Sequence, residues 1–286
     1  MVYDSLSYCK SRPLRIACCG GYIGPKSSRH GIHDGSVKML QFERLTETHL
    51  SASDLDRLKT LDSCTVSNAI ERLEVRLRNE GFIVDAVNCQ FPDLPPMVGY
   101  AATARIRTGA PPMAGQRCYY DRMDWWRYVA SLPAPRVLVL EDMDHRPGVG
   151  AFVGEIHAVM GHALDCSGCV TNGAVRDLDQ IRPLGFPLFA GYVSVSHAYS
   201  HIIEFGEPVE IGGLKIRSGD LLHGDLNGVQ VIPLQIAASV AAEASNVLQE
   251  ERELIDFCRS SQFSLDELEK RLKKCSTRFD IPWRPR

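Results

Sequence analysis

The spacing of hydrophobic positions changes several times along the chain, and each change predicts an element. Ser51 and Asp54 suit a helix start, and Thr65-Val66-Ser67-Asn68-Ala69-Ile70 reads as a second short helix. Met97–Ile106, rich in small and branched residues, predicts a strand, and Arg136–Leu140 predicts a short buried one. Between them, Tyr119–Tyr128 is aromatic and amphipathic and reads as a helix. A Gly-punctuated loop, Pro147–Gly154, feeds a helix running from Glu155 to the region of Leu164. Cys169-Val170-Thr171 reads as a strand that ends in the turn Asn172–Asp177. Short strands follow at Leu188–Val195, Pro208–Ile211, Leu214–Ile216 and Val229–Ile232. Gly212-Gly213, Ser218-Gly219-Asp220 and Asn227-Gly228 supply the turns among them.

Pro233 suits the first turn of a long helix. Its apolar stripe runs Ile236, Val240, Ala244, Val247, Leu254, Cys258, and Glu251 falls on that stripe, where an unpaired carboxylate is costly. A last helix opens at Ser264, with Glu267 completing a capping box and Phe263 placed to staple onto Leu268. Strands mixed with helices predict the α/β class with a layered core. Residues 1–38 show little apolar periodicity and lean basic, which predicts a flexible extension or an arm packing on a neighbouring subunit. Residues 39–286 read as one domain.

Composition narrows the functional classes. A net charge of −3 gives no argument for nucleic acid or an anionic membrane as partner. No apolar run reaches the roughly 18 residues of a membrane span. The ten cysteines are scattered and the start shows no signal-peptide pattern, so reduced thiols in a cytoplasm are expected. Cys166 and Cys169 have half a zinc spacing, but no second pair follows at a suitable distance.

Three segments could carry chemistry. Small residues at Gly148–Gly154 before a helix could expose amides to an anion, although a plain strand-to-helix turn looks the same. Arg176-Asp177 follows a buried strand, at the carboxyl end where ligands collect in open α/β folds. Arg176 could hold a carboxylate or an enolate oxygen, and Asp177 a hard cation; as a bare dipeptide, a surface ion pair explains them as well. Asp225, in His223-Gly224-Asp225-Leu226-Asn227-Gly228, reads as a turn carboxylate that bonds the backbone. His197 and His201 read as core or pocket-wall residues.

Taken together, these segments resemble the RraA-like superfamily. Asn172–Asp177 is similar to its G-x-V-R-D segment, and Pro208–Leu214 with Ser218–Pro233 to its long Gly-Gly and Gly-Asp block, with Ser218 where the family usually has Pro. Met97–Ala104 resembles its early strand and Thr65–Ala69 its opening helix. The resemblance implies a layered β/β/α swivelling-domain fold with a long C-terminal helix, assembled as a homotrimer or hexamer. It further implies Arg176 as a catalytic and substrate-holding residue, Asp177 as the ligand of Mg²⁺ (or Mn²⁺), and the loop Gly154-Glu155-Ile156 as the receiver of a pyruvyl carboxylate. A catalytic Glu is expected from the C-terminal helix of a neighbouring subunit; Glu251 fits, with Glu250 as its rival.

The family contains 4-hydroxy-4-methyl-2-oxoglutarate aldolases, oxaloacetate decarboxylases and non-catalytic regulators of ribonuclease E. The regulators typically lack the Asp after the Arg. Asp177 therefore favours a metal-dependent lyase acting on a 2-oxo acid, releasing pyruvate through a metal- and Arg-stabilised enolate. A protein-binding regulator is the alternative. The segment Gly191–Glu204, with its histidines, departs from the aldolase pattern and leaves the substrate open.

Overall fold

A computed structural model describes residues 50–85, 87–112 and 122–274. All lie in the second of the two units into which the chain divides, Glu43–Arg286. The expected extension 1–38 and residues 119–121 of the expected aromatic helix lie outside the described residues.

The central strand β3, Arg136–Asp142, carries apolar side chains on both faces, as a strand covered on both sides must. Leu138 and Leu140 point into one cluster, Val137 and Val139 into another. On one side of β3 lies β2, Met97–Arg107, and on the other β5, Cys166–Val175, both parallel to it. β6, Leu188–Val193, extends the parallel set beyond β5. Antiparallel strands close the margins. β1, Asn88–Cys89, joins β6, while β10, Leu221–Asp225, joins β2 and carries β11, Gly228–Ile232. Two further strands pair off this path: β4, Ala151–Val153, with β5, and β7, His201–Phe205, with β2. A hairpin of β8, Val209–Ile211, and β9, Leu214–Ile216, forms a separate small sheet.

The two faces of the large sheet have different covers. Met97, Ala101, Val137 and Val139 pack with Val209, Ile211, Leu214 and Ile216 of the hairpin. On the opposite face, Ala102, Ala104 and Leu138 meet Trp125, Trp126 and Val129 of α3, Arg122–Ser131, and Ala158 of α4, Glu155–Ala163. Further along that face, Val98, Tyr100 and Leu221 meet α1, Ala52–Leu58, α2, Ser63–Arg72, and the long α6, Ala237–Arg259. The result is the expected layered β/β/α arrangement with a long C-terminal helix. Among the described residues no helix is long and apolar enough to cross a membrane.

Local chemistry explains three helix starts. Ser51 caps α1 by accepting from the Asp54 amide at 3.1 Å, and Asp62 caps α2 by accepting from the Thr65 amide at 2.9 Å. Ser264 accepts from the Glu267 amide at 3.3 Å at the start of α7, Leu265–Lys274. Phe263 stacks on Phe257, 5.8 Å between ring centroids. The stripe of α6 is buried at Val240, Ala244 and Val247, half-buried at Glu251 and Leu254, and exposed at Cys258.

Several elements differ from the periodicity reading, β1 and β7 among them. Ala151–Val153, inside the expected loop, is strand β4. β5 runs on through Asn172-Gly173, because the Asn172 side chain replaces ladder bonds. Its carbonyl oxygen accepts from the Asp142 amide at 2.7 Å, and its amide donates to the Asp142 carbonyl at 3.1 Å. β10 falls between two expected turns where no strand was expected, yet it lies between β2 and β11 with its residues buried. The polar groups of β10 are satisfied by partners far away in sequence. Asp225 accepts from the Asn227 amide at 2.8 Å, as a turn residue would, and also from the Ser63 amide at 2.8 Å.

His223, fully buried, is the core histidine of this fold, whereas His197 is exposed and His201 half-buried. Its Nε2 lies 3.1 and 3.0 Å from the carbonyls of Leu58 and Leu61, so Nε2 carries the proton and donates. Nδ1 then accepts from the Ser63 hydroxyl at 3.0 Å. Burial pushes the imidazole below its ordinary value, against the opposing pull of the Leu58 carbonyl and Asp225. The neutral ring ties the connection between α1 and α2 onto β10.

Two predictions follow from these contacts. With its folded value lowered, His223 takes up a proton more readily when unfolded. Its contribution is therefore complete above about pH 6.5 and declines as the pH falls from there toward the folded value. His223→Ala should remove this pH dependence from urea-denaturation midpoints. It should also cost on the order of 3 kcal/mol, since two carbonyls and a hydroxyl lose their partner. In the hairpin turn, Gly212 is left-handed (φ +52°) and a Cβ there would meet the Asp85 carbonyl oxygen at 2.3 Å. The same atom at Gly213 would find its nearest neighbour, Val84 Cγ2, at 3.5 Å. Gly212→Ala should lower the melting temperature clearly more than Gly213→Ala; equal effects would contradict the tight approach.

Candidate functional site

The parallel strands bring the expected site residues to one edge of the sheet. β5 ends at Val175, and Arg176 stays beside β4 because its amide donates to the Val153 carbonyl at 3.0 Å. β4 ends at Val153, and Gly154 opens α4 as an N-cap without a side chain to offer. The missing cap comes from Asp177, whose Oδ2 accepts from the Glu155 amide at 3.0 Å. A carboxylate suits a helix N-terminus, where unsatisfied amides and the helix dipole favour negative charge. The Nε of Arg176 lies 3.4 Å from the same Oδ2.

This closeness requires glycine at 154. A Cβ there would stand 2.5 Å from Asp177 Oδ2 and 3.0 Å from Arg176 Nε. Asp177 itself is left-handed (φ 58°, ψ 40°), a conformation that Asp tolerates better than most residues. Its carbonyl accepts from the Gln180 and Ile181 amides at 3.1 and 3.0 Å, starting the short helix α5, Leu178–Ile181. Gly154, Glu155, Arg176 and Asp177 thus form one clamp, with Ile156 beside it and 72% exposed.

Glu251 sits elsewhere in the layers. On α6 it accepts from the Asn68 amide group of α2 at 3.2 Å. Its rival, Glu250, pairs with Arg72, which also holds Glu243 at 3.0 Å. Both carboxylates join the helical layer, whereas Arg176 and Asp177 lie at the end of β5.

A second polar group at the sheet edge was missed in the sequence. Asp142, at the end of β3, is buried and accepts from the Asp144 and Gly148 amides at 3.1 and 3.0 Å. Burial raises its carboxyl above the usual range. Burial also pushes Asp144 up, but the Thr108 and Gly109 amides, donating at 2.7 and 2.6 Å, bring it below the usual range. The pair shapes the loop from Met143 to Gly150. Its signal was the Asp-x-Asp that directly follows an apolar strand.

The donor set does not fit the expected metal. Asp177 already accepts the Glu155 amide and faces Arg176, and among the described residues no group of three or more His, Cys, Asp or Glu could hold a metal ion. The expectation of Mg²⁺ or Mn²⁺ is corrected on this ground. With it falls the expectation of an enzyme, a metal-dependent aldolase or oxaloacetate decarboxylase releasing pyruvate from a 2-oxo acid. The Glu155 amide expected to receive a pyruvyl carboxylate donates to the chain's own carboxylate instead.

Comparison with known proteins agrees with the fold and the motif order. The family profile described as RraA-like, Aldolase/RraA, matches residues 63–231. A protein of Halalkalibacterium halodurans, provisionally named a 4-hydroxy-4-methyl-2-oxoglutarate aldolase, is 35% identical over 100 residues, which are 35% of this chain and 44% of that protein. Protein DlpA of Legionella pneumophila is 37% identical over 109 residues, 37% of this chain and 17% of its own length. The chain therefore spans less than half the length of these curated relatives. The crystal structure of an uncharacterized Pseudomonas syringae pv. tomato protein matches with a TM-score of 0.62 at 26% identity, covering 79% of this chain and 96% of that one. Streptomyces coelicolor RraAS2, described as an unusual member of the RNase ES inhibitor RraA family, shares the fold with a TM-score of 0.56 at 20% identity, over 71% of this chain and 96% of its own. Because the family profile covers more than half of its residues and the β/β/α layers are in place, the chain belongs to the RraA-like, Aldolase/RraA family.

Proposed function

We propose that this protein is a non-catalytic, protein-binding regulator of ribonuclease activity. The observation that carries the reading is the closed clamp. The helix N-terminus that would receive a substrate anion is capped by Asp177, and Asp177 is faced by Arg176. A group whose hydrogen bonds are made within the chain contributes to the fold and leaves less for a ligand to use. Asp177, which on sequence argued for catalysis, here holds β5 to α4. The description of the Streptomyces coelicolor relative as belonging to a ribonuclease-inhibitor family lends the reading further support. A homo-oligomer, trimer or hexamer, belongs to the same proposal, since a regulator that acts by contact gains from several copies of its docking surface.

Purified chain titrated into an endoribonuclease of the RNase E or RNase ES type should slow cleavage of an RNA substrate and saturate at a fixed stoichiometry. Incubated with a panel of 2-oxo acids and Mg²⁺, it should release no pyruvate above the rate without protein. Pyruvate formation that EDTA abolishes would overturn the proposal.

The clamp gives a separate prediction. Asp177→Ala removes a helix cap and places Ala in a left-handed conformation, and should cost about 2 kcal/mol in urea denaturation. Asp177→Gly, which relieves the backbone, should cost less. Neither should change ribonuclease inhibition once the protein is folded.

A further inference from the structure

Two carboxyl groups at the edge of the sheet face a single hydroxyl. Thr108, directly after β2, is fully buried. Its Oγ1 stands 3.3 Å from Asp142 Oδ2 and 3.3 Å from Asp144 Oδ2, and it accepts from the Gly150 amide at 3.2 Å. Asp142 is 3% exposed; its Oδ2 also accepts from the Gly148 amide and its Oδ1 from the Asp144 amide. Asp144 Oδ2 accepts from the Thr108 and Gly109 amides. On the β5 side the backbone of Gly173 closes over the group, where a Cβ would stand 3.3 Å from Asp142 Oδ2. Three side chains thus hold the loop 143–150 to the ends of β2 and β3.

The hydrogens in this set do not match the acceptors when both acids are ionised. A hydroxyl has one hydrogen to donate and two lone pairs to offer. That hydrogen can serve Asp142 or Asp144, and two negative charges then stand across one buried oxygen. One added proton completes the set. Asp142 donates from Oδ2 to Thr108 Oγ1, the Thr108 hydroxyl donates to Asp144 Oδ2, and Thr108 still accepts from the Gly150 amide. Asp142 is the carrier of that proton. Burial, with the charge of Asp144 added to it, raises its carboxyl, whereas at Asp144 the Thr108 and Gly109 amides outweigh burial.

The other charged or titratable side chains on the elements packed here are engaged elsewhere or exposed. Arg107 of β2 offsets the charge of Asp144. Glu141 of β3 and Glu204 of β7 pair with Arg105 at 3.2 and 2.6 Å. His145 and Arg146 of the loop are exposed. Nδ1 of His197 and of His201 lies 2.9 and 2.7 Å from the carbonyl oxygens of Ala198 and Tyr199. Tyr192 lies against Gly148, and β5 brings the neutral Thr171 and Asn172.

We infer that Asp142, Thr108 and Asp144 form a proton-operated latch, which keeps the loop 143–150 shut while one proton is shared among them and lets it open when that proton is lost. The sign follows from linkage. In the open loop Asp142 meets water and behaves as an ordinary carboxylate, so the shut loop binds the proton more tightly. The stability of the shut form is therefore complete below the ordinary Asp range and declines as the pH rises through the raised value of Asp142. Opening also releases the bond from the Ser194 hydroxyl to the Val149 carbonyl, which ties the segment after β6 to this loop. The latch stands independently of the regulator reading.

Native-state hydrogen exchange on the full chain, from about pH 4 to about pH 8 and corrected for the intrinsic rate at each pH, reads the opening. Protection of the Gly148 and Gly150 amides should fall at least about threefold as the pH rises. The Ile83 and Val231 amides, bonded to the Val229 and Gly81 carbonyls along β11, should stay level. Carboxyl-carbon NMR should show Asp142 titrating with the same midpoint, above the ordinary Asp range. Asp144→Asn removes the like charge while its carbonyl oxygen keeps the Thr108 and Gly109 amides, and should move the midpoint to lower pH. Asp142→Asn cannot ionise and should abolish the pH dependence, whatever its starting protection. The inference is overturned by level protection of Gly148 and Gly150, by a fall that Ile83 and Val231 share, or by a midpoint that differs from that of Asp142. It is equally overturned if Asp144→Asn leaves the midpoint in place or Asp142→Asn keeps the pH dependence.

Discussion

Parallel pairing of β3 with β2 and β5, extended to β6, constrains everything else in the molecule. Parallel strands share a direction, so their carboxyl ends share an edge. Arg107, Asp142, Arg176 and Val193 lie far apart in sequence, yet each stands at or just beyond such an end. The same pairing requires cover on both faces, because every strand in the centre carries apolar groups up and down. The β8–β9 hairpin supplies one cover and the helices the other. Loops at the common edge are then built on a rigid base, and polar side chains such as Thr108, Asp142 and Asn172 can bind backbone groups of neighbouring loops.

At that edge the balance between holding a ligand and holding the fold is decided by a few hydrogen bonds. A helix beginning at a glycine has amides without a side-chain cap. In this chain the need is met from the end of β5, by Asp177, with Arg176 alongside. Gly154 is what allows that approach. The residues that on sequence suggested a metal-assisted lyase are the ones that brace β4, β5 and α4 together.

The fold was largely legible in the pattern of residues. Runs of small, branched and apolar residues predicted β2 and β3, capping residues located the starts of α1 and α7, and the Gly-rich loop located that of α4. The ordered Gly-Gly and Gly-Asp blocks, spread over the second half, carried the family likeness. Elements whose stability comes from distant partners were not legible. β10 lies between two turn sequences, and beyond the local Asn227 amide its polar groups depend on Ser63, Leu58 and Leu61, more than 150 positions away. Asn172 reads as a turn residue until Asp142 is placed beside it.

For the candidate site, the sequence brought Gly154, Glu155, Arg176 and Asp177 together through the family resemblance, while it missed Asp142 and gave no sign that Glu251 lies in the helical layer. A Gly before a helix, and Arg-Asp after a strand, are bound to share an edge once their strands run parallel. What those residues do there was decided by tertiary structure alone. A carboxylate has the same charge and shape whether it faces a cation or caps a helix. Its role depends on what lies within about 3 Å of its oxygens, the reach of a hydrogen bond. For Asp177 that neighbour is the Glu155 amide, 22 positions earlier in the chain, and no local pattern of residues encodes that distance.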